Sequence, residues 1–399
     1  MSFLTGVGVA DGPDAHTVGA NACQSAFNGL GADSADLAIV FASSIYDQER
    51  MLAGVRSVSK DTPVVGASTA GEIVTSGPLA KHSVAVMLIK SDAIRFTPAS
   101  DGTIAQNARL AGSAVATKIK DQAGEDLRAL LMFPDILAGN GADIVRGILD
   151  VVGKNFPVMG GAAGDDFAFV KTFQYHNDEV LSGAVVGVGL SGTFKLGVGV
   201  KHGWIPVGAP LKVTKSSGSV LHELEGRPAI SIYEDYFGEE EAHKLKSETL
   251  GKLAITYPLG MRIPGSEEML IRDPITADEH GSITCAAEIP EGAEVQLMIG
   301  SRETAVAVAR EAASYALNQL DGANPKAIII FNCIARNKLF GEHAGEEITA
   351  IQEVLGKDVP LIGFYTYGEQ APLGGEVRNL EQCHTKFHNE TVVICAFSD

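Results

Sequence analysis

Two positions near the C-terminus combine side chains that could do covalent or ionic chemistry. Cys333 stands three residues before Arg336, just past an apolar run. A thiol beside a guanidinium is a candidate nucleophile, because positive charge favours the thiolate, and His388 is a candidate base for it. The more common role of such a cysteine is that of a small buried hydrophobe. Arg336 presents a rigid fork of donors that suits a carboxylate or phosphate ligand, or an ion pair with Glu369.

Two other clusters contain histidine. His202 precedes Gly203 and the single tryptophan, Trp204. This arrangement suits either an axial ligand to b-type haem or a core histidine whose ring nitrogens are hydrogen-bonded. His384 and His388 are four residues apart, which would place them on one face of a helix and permit a metal. That stretch enters an expected strand and offers no third ligand, so we predict no metal site.

The remaining candidates lie in a pattern that the chain repeats three times. An apolar run containing Phe precedes a helical stretch, and a Pro-apolar-apolar-Gly step then leads to a second glycine, an acid and another apolar run. The copies are LAIVFASS (37–44), PVVGASTAGE (63–72) and SVAVMLI (83–89); ALLMFPDI (129–136), PVMGGAAGDD (157–166) and GAVVGVGL (183–190); AIIIFNCI (327–334), PLIGFYTYGE (360–369) and TVVICAF (391–397).

Each copy predicts a β-α-β-β unit. The apolar runs are short, continuous and rich in Val and Ile, which is typical of strands buried on both faces. Helical spacing of apolar residues in 48–60 and 141–154 predicts crossover helices, and the third strand can pair antiparallel. We therefore predict an α/β fold of two modules, residues 1–215 and 216–399, with mixed β-sheets and crossover helices.

The segments between the repeats give weaker signals. Residues 194–217 and 267–300 alternate apolar and polar residues and predict strands. Residues 238–248 mix acids and bases, which is typical of a solvent-exposed face. A helix is expected over 301–322, with Ser301 as its N-cap.

The glycine-acid step ends the second strand of each unit, at the carboxyl edge where α/β sheets bind ligands. Its small residues allow close approach of a ligand or of a neighbouring strand. The alternative is a tight turn that recurs because the unit was duplicated. The candidate ligand-binding residues at these edges are Ser68, Thr69, Glu72, Asp165, Arg336, Tyr365, Thr366, Glu369 and His388.

Composition excludes several classes of function. The net charge of −18 argues against nucleic acid and anionic membranes as partners, because both need a basic face. Five scattered cysteines form no C-x-x-C pair. We find no signal peptide and no apolar run of about 18 residues. A reduced, cytoplasmic protein is expected, and the sequence is compatible with a homo-oligomer.

Several motifs together resemble the FIST family, in family order and over most of the chain. The resemblance divides the chain into a FIST N-terminal module and a FIST_C module. It implies a sensory domain that binds a small ligand, for which amino acids are proposed in the family. The matching segments are VFASSIYD, PVVGASTAGEI, PVMGGAAGDD, GRPAISIYEDYFG, MLIRDP, FNCIAR, PLIGFYTYGEQAP and FHNETVV.

The first hypothesis is a cytoplasmic, non-catalytic ligand-binding sensor that signals to a separate output protein. An amino acid would place its carboxylate on Arg336 and its ammonium on one of the acids. Because some family members are haemoproteins that sense nitric oxide, the second is a haem sensor regulating a histidine kinase or a cyclic-di-GMP enzyme, with His202 as our inferred ligand. The third is a cysteine-dependent enzyme, and the fourth is a protein-interaction scaffold.

Overall fold

The fold is known from a computed structural model that describes residues 3–79, 82–238, 250–266 and 268–399. Except for Gly238, the acidic-basic stretch 238–248 lies outside these residues. Within the described ranges, no helix is long and apolar enough to cross a membrane.

Three successive segments of the chain fold in the same order, β-α-β-α-β, then a hairpin, then a last strand. The first comprises β1 (Phe3–Ala10), α1 (Ala15–Leu30), β2 (Leu37–Ser43), α2 (Gln48–Ser59), β3 (Val64–Thr69), β4 (Glu72–Val74), β5 (Gly77–Pro78) and β6 (Val84–Ser91). The second comprises β7 (Ile94–Asp101), α3 (Ala108–Ala123), β8 (Leu127–Pro134), α4 (Gly141–Val152), β9 (Val158–Gly161), β10 (Gln174–His176), β11 (Glu179–Leu181) and β12 (Val185–Gly192).

The third segment begins with β13 (Lys195–Lys201) and is then interrupted by an insertion. The insertion comprises β14 (Trp204–Ser217), β15 (Val220–Leu224), β16 (Arg227–Pro228), α5 (Ser231–Phe237), α6 (Leu250–Ala254), β17 (Leu259–Arg262), β18 (Met269–Arg272), β19 (Pro274–Ala277), β20 (Ile283–Cys285) and β21 (Glu294–Gly300). The repeat resumes with α7 (Arg302–Asn318), β22 (Ala327–Cys333), α8 (Ile334–Phe340), α9 (Ala344–Leu355), β23 (Leu361–Thr366), β24 (Glu369–Pro372), β25 (Thr385–His388) and β26 (Val392–Ser398).

The strand pairings confirm the predicted mixed α/β fold. In each repeat the first two predicted strands are parallel, as in β2 with β3, β8 with β9 and β22 with β23. The third pairs antiparallel with the first, as in β2 with β6. The repeat is longer than predicted, because an extra strand and helix precede each unit. Ser301 caps α7 as expected, through a reciprocal pair of bonds with Thr304.

Each sheet also contains a hairpin that comes from another repeat. The β4–β5 hairpin of the first repeat extends the third sheet beside β23, and β24–β25 of the third extends the second beside β9. The β10–β11 hairpin of the second repeat extends the first sheet beside β3. Each repeat therefore donates one hairpin and receives one, in a cyclic exchange. The predicted modules 1–215 and 216–399 therefore share sheets, and their division stays a prediction.

The three sheets face one another across a common apolar core. Phe41, Phe133 and Phe331, which mark the three repeated runs, meet there with Phe364, and the Phe41 and Phe364 ring centroids are 4.5 Å apart. The opposite faces of the sheets pack against the helices. Burial on both faces explains why these strands have continuous apolar sequences.

The recurring glycine of the Pro-x-x-Gly step lets adjacent strands approach closely. A Cβ added at Gly66 would lie 1.9 Å from the Val40 carbonyl oxygen. The equivalent distance at Gly160 is 2.0 Å, to the Met132 carbonyl oxygen. Any side chain at these positions would force the backbones apart, so the glycine is a packing requirement.

The insertion forms a fourth, antiparallel sheet with its own apolar core. Its strand order is β18-β17-β21-β14-β15-β20-β19, with β16 beside β15. This sheet packs beside the body that the three repeats form. Along part of their boundary, the sheet and that body are separated by a cleft.

Candidate functional site

The predicted acids Glu72 and Glu369 lie where a chain segment leaves its own sheet and joins the next. The Glu72 carboxylate accepts hydrogen bonds from Thr69 Oγ1 and Ser83 Oγ, both at 2.5 Å. Glu369 accepts from Thr366 Oγ1 and from Thr391 Oγ1, the latter at 2.7 Å. The two arrangements are equivalent in the two repeats, and we call them the carboxyl cages.

Both carboxyl cages are closed to solvent. Glu72 is 1% exposed and Glu369 is fully buried. Burial raises the pKa of each carboxyl to about 7, and the hydroxyl donors partly oppose that rise. Each carboxyl oxygen of these acids therefore has a hydroxyl donor from the same chain, and these bonds connect the strands at the crossings.

The second repeat lacks a carboxyl cage. Ala163 and Ala184 stand where the other repeats carry hydroxyl residues, and Asp166 takes the position of the glutamate. Asp166 instead accepts from Ser43 Oγ of the first repeat at 3.0 Å. The cage chemistry thus belongs to two of the three repeats.

The predicted residues Asp165 and Ser68 also have partners within the chain. Asp165 accepts from the backbone N–H groups of Phe169, Val170 and Lys171 at 2.7 to 2.9 Å, and from the Tyr367 hydroxyl. Ser68 Oγ donates to the Gly164 carbonyl at 2.8 Å. These contacts shape the loop that follows β9.

Arg336 pairs with Glu347, a residue that the sequence patterns did not single out, and not with Glu369. Its Nε donates to Glu347 Oε1 at 2.9 Å, and both side chains are fully buried. Asn332 Nδ2 donates to the other carboxylate oxygen at 2.8 Å. The guanidinium therefore already has a buried carboxylate partner. The nearby Tyr365 is also buried.

The histidines and the candidate nucleophile lie in low-dielectric surroundings. Burial lowers the pKa of His202 and His388 to about 4, so both are neutral at pH 7. His202 Nδ1 accepts from the Trp204 N–H at 3.0 Å, and His388 Nε2 contacts the Ala371 carbonyl at 3.0 Å. Burial and neighbouring acids raise the pKa of the Cys333 thiol well above its usual value. That environment disfavours the thiolate that a nucleophile needs.

Two acids with buried carboxyl oxygens, Glu390 and Asp273, were not identified from the sequence. Neither carboxyl oxygen of Glu390 has a hydrogen-bond partner among the described residues, and Asp273 Oδ1 also has none. Burial raises the pKa of both, to about 7 for Asp273. Glu390 lies in the segment FHNETVV and Asp273 in MLIRDP. The resemblance of these two segments to the family was the feature of the sequence that could have pointed to them.

A cleft of about 1110 Å³ opens between the fourth sheet and the body of the repeats. Helix α4 and strand β25 form one wall, and the β17–β18 region with residues 288–294 forms the other. Apolar side chains supply much of the lining, including Val145, Leu149, Met261, Met269 and Phe387. An apolar concavity with a few polar groups is the usual form of a small-molecule site.

Arg272 lies in the lining of this cleft and is only 3% exposed. Its Nε donates to the Glu288 carbonyl at 2.7 Å, and its Nη1 donates to the carbonyls of Ile271 at 2.9 Å and Phe387 at 3.5 Å. Burial lowers its pKa to about 10, so it remains charged at pH 7. Among the described residues, no carboxylate forms an ion pair with it. In the sequence Arg272 is only an arginine at the end of the apolar run MLIR, which is a weak indication of a binding site. It was not among the predicted site residues.

Of the predicted site residues, none lines this cleft. The fold does bring several of them into contact: Thr69 with Glu72, and Thr366 with Glu369. Asp165 accepts from the hydroxyl of Tyr367, which was not among the predicted site residues. Their role in ligand binding stays a prediction.

Comparison with known proteins shows relatives over the full length. Two proteins of Mycobacterium tuberculosis, described as uncharacterized, are 26% identical over 99% of both chains (strain H37Rv) and 28% identical over 93% of this chain and 94% of the other (strain CDC 1551). A protein of Methanocaldococcus jannaschii, also described as uncharacterized, is 28% identical over 50% of this chain and 41% of its own.

Solved structures give weak similarity only. A cyanuric acid hydrolase structure covers 99% of this chain and 100% of its own at 10% identity, with a TM-score of 0.34. The cyanuric acid hydrolase from A. caulinodans covers 48% of this chain and 72% of its own at 10% identity, with a TM-score of 0.27.

Two family models match consecutive parts of the chain. The FIST N domain matches residues 36–227, and the FIST C domain matches residues 229–372. FIST domains are sensory domains that bind small ligands in signalling proteins. The chain, with its three interlocked repeats and an inserted fourth sheet, belongs to the FIST family.

Proposed function

We propose that this protein is a non-catalytic, cytoplasmic sensor that binds a small ligand in the cleft beside Arg272. The observation that carries the proposal is a buried guanidinium in the lining of a largely apolar cleft. It forms no ion pair with a carboxylate of the described residues, and the Glu288 carboxylate, which pairs with Arg146, acts on it only through longer-range attraction. A charge held in that environment is costly unless a partner compensates it. The closed carboxyl cages offer no comparable opening.

Signalling would use the fact that the two cleft walls belong to different sheets. A ligand that contacts both α4 and the β17–β18 region binds one relative position of these walls better than others, and so shifts their equilibrium. A separate protein would read that shift. The family resemblance suggests a histidine kinase or a cyclic-di-GMP enzyme as that partner. An amino acid or a similar metabolite is the ligand that the resemblance suggests.

The single tryptophan provides a direct test. Trp204 packs with Ile271, Met298 and Met269, and Met269 lines the cleft. Titration of the purified protein with a panel of amino acids and organic acids should change Trp204 fluorescence and release or absorb heat in calorimetry. If no compound of a broad metabolite panel binds, the sensor proposal is wrong.

A haem-based nitric-oxide sensor is the alternative. The surroundings of His202 fit a porphyrin poorly. Its Nδ1 accepts from the Trp204 N–H, which places the proton of the neutral ring on Nε2, the nitrogen that would otherwise be free to bind iron. Its backbone carbonyl accepts from Arg336, and the residue does not line the cleft. The absorption spectrum of protein expressed with haem supplied tests this alternative. A Soret band that disappears in His202→Ala would support it, and a colourless protein would exclude it.

A further inference from the structure

The charged side chains of the cleft divide into paired and unpaired groups. Its lining holds four cationic residues, Arg146, Arg262, Arg272 and Lys386, and three acids, Glu268, Glu288 and Glu294. A cationic excess is notable in a chain whose net charge is −18.

Each of the three acids already has a basic partner. Glu288 pairs with Arg146 at 2.5 Å, and Glu268 pairs with Lys201 at 2.7 Å. Glu294 lies 3.9 Å from Arg262. No acid of the lining is therefore left to receive the ammonium group of a ligand.

Two cations of the lining have no ion-pair partner within the described residues. Lys386 lies at the exposed side of β25, next to Phe387, whose carbonyl accepts from Arg272. The Nε and Nη1 groups of Arg272 donate to three backbone carbonyl groups. Its Nη2 makes no hydrogen bond with any described residue. A guanidinium has five donors in a planar fork, which suits the two oxygens of a carboxylate or phosphate.

We propose that the ligand of this cleft is an organic anion with an apolar body. Its carboxylate or phosphate group binds Arg272, its body lies against Met269, Leu270 and Phe387, and Lys386 adds a weaker contact. The inference rests on the proposed sensor function and deepens it: it selects anions over zwitterionic amino acids, because the only charges left unpaired in the described lining are positive.

The first experiment varies the head group on one apolar chain, with the unmodified protein. Octanoate, octyl phosphate and octanamide are compared with leucine by calorimetry and by Trp204 fluorescence. We expect one of the anions to bind at least about 10-fold more tightly than octanamide or leucine, since charge-assisted hydrogen bonds contribute about twice as much as neutral ones. The preferred anion distinguishes a carboxylate ligand from a phosphate ligand.

The second experiment varies the protein. Arg272→Met should weaken anion binding by about 10- to 100-fold, and Arg272→Lys should restore part of that loss because it keeps the charge but not the fork. Lys386→Met should weaken it by about 2- to 5-fold, as expected for an exposed charge. The matched control is Arg50→Met, which removes an exposed arginine on α2 whose partner, Asp14, is also outside the cleft lining.

The possible outcomes separate the two proposals. Equal binding of octanoate, octyl phosphate and octanamide, or tighter binding of leucine, would overturn the anion inference and leave the sensor function standing. Absence of binding by these compounds and by the metabolite panel would overturn both. The head-group comparison decides the inference even where Arg272→Met does not fold.

Discussion

The carboxyl cages and the cleft both bury ionisable side chains, but they satisfy them in opposite ways. Glu72 and Glu369 accept hydrogen bonds from hydroxyl groups of the same chain, which lie three and eleven residues from Glu72 and three and twenty-two residues from Glu369. Arg272 donates hydrogen bonds only to backbone carbonyl groups and lies in the lining of the cleft. Burial alone therefore does not identify a binding site, and a buried charge that lacks an ion-pair partner and borders an open cleft is the more informative feature.

The two buried arginines differ in the same way. Arg336 has Glu347 as a fully buried partner, whereas Arg272 has no carboxylate within ion-pair distance among the described residues. We therefore expect Arg336 to matter for folding and Arg272 to matter for ligand binding. Substitutions in the two regions should separate these roles.

The largest expected effect is that of Arg336→Met. The substitution leaves the Glu347 carboxylate buried without its charge partner, so the free energy of unfolding should fall by about 3–5 kcal/mol. Urea denaturation measures this change. The double variant Arg336→Met/Glu347→Gln should recover part of the loss, because no uncompensated charge remains. If Arg336→Met is as stable as the unmodified protein, the Arg336–Glu347 pair does not contribute measurably to the free energy of unfolding.

The second largest loss of stability is expected from a change in the packing of β2 against β3. Gly66→Ala should lower the free energy of unfolding by about 3 kcal/mol, since the new Cβ would overlap the Val40 carbonyl and force the strands apart. The matched control is Gly102→Ala, at a position with open space around the added Cβ. Thermal unfolding compares the two variants, and equal stability would contradict the close-approach explanation.

The cages predict a pH dependence of stability. The folded pKa of Glu72 and Glu369 is about 7, above the usual value of 4.5. Between these values the unfolded chain has released protons that the folded chain retains, so this contribution lowers stability as pH rises from about 4.5 to 7. The stability of Glu72→Gln/Glu369→Gln relative to the unmodified protein should therefore increase across that window, by about 3 kcal/mol per site.

Other groups titrate in the same range, so the difference between the proteins is the informative quantity. His202 and His388, with pKa values of about 4, make stability rise with pH between about 4 and 6.5, and both are present in each protein. Denaturant unfolding from pH 4.5 to 8 measures the difference. A difference that stays constant with pH would show that the cage acids are ionised throughout.

The smallest effect is expected in the cleft. Lys386→Met and Arg262→Met should change the free energy of unfolding by less than about 0.5 kcal/mol, because both side chains are exposed and neither supports the core. Chemical denaturation checks this expectation. A loss above about 2 kcal/mol would mean that the cleft residues hold the fold, and would weaken the contrast with the cages.

Much of the fold was predictable from the sequence because local rules and global packing agree in this chain. The continuous apolar runs predicted strands buried on both faces, and the helical spacing in 48–60 and 141–154 predicted α2 and α4. The hairpin exchange between repeats was not predictable. A short strand such as β4 has the same sequence character whether it pairs with its own sheet or with a neighbouring one.

The site was harder to predict than the fold. Residue type and position at a strand end made Arg336 and Glu369 candidate ligand-binding residues. Their partners, Glu347 and Thr391, lie 11 and 22 residues further along the chain, on a helix and before a strand whose packing the sequence pattern does not give. Arg272 had only a weak signal for the converse reason, since the lack of a carboxylate partner cannot be seen in a sequence.

The threefold repetition, the α/β class and the family follow from the sequence alone, because these depend on residue order and on the periodicity of apolar side chains. Which buried charges are paired depends on the folded structure. That outcome depends on contacts between segments as far apart as Arg336 and the His202 carbonyl, or Arg272 and Phe387, and such contacts exist only once the sheets have assembled.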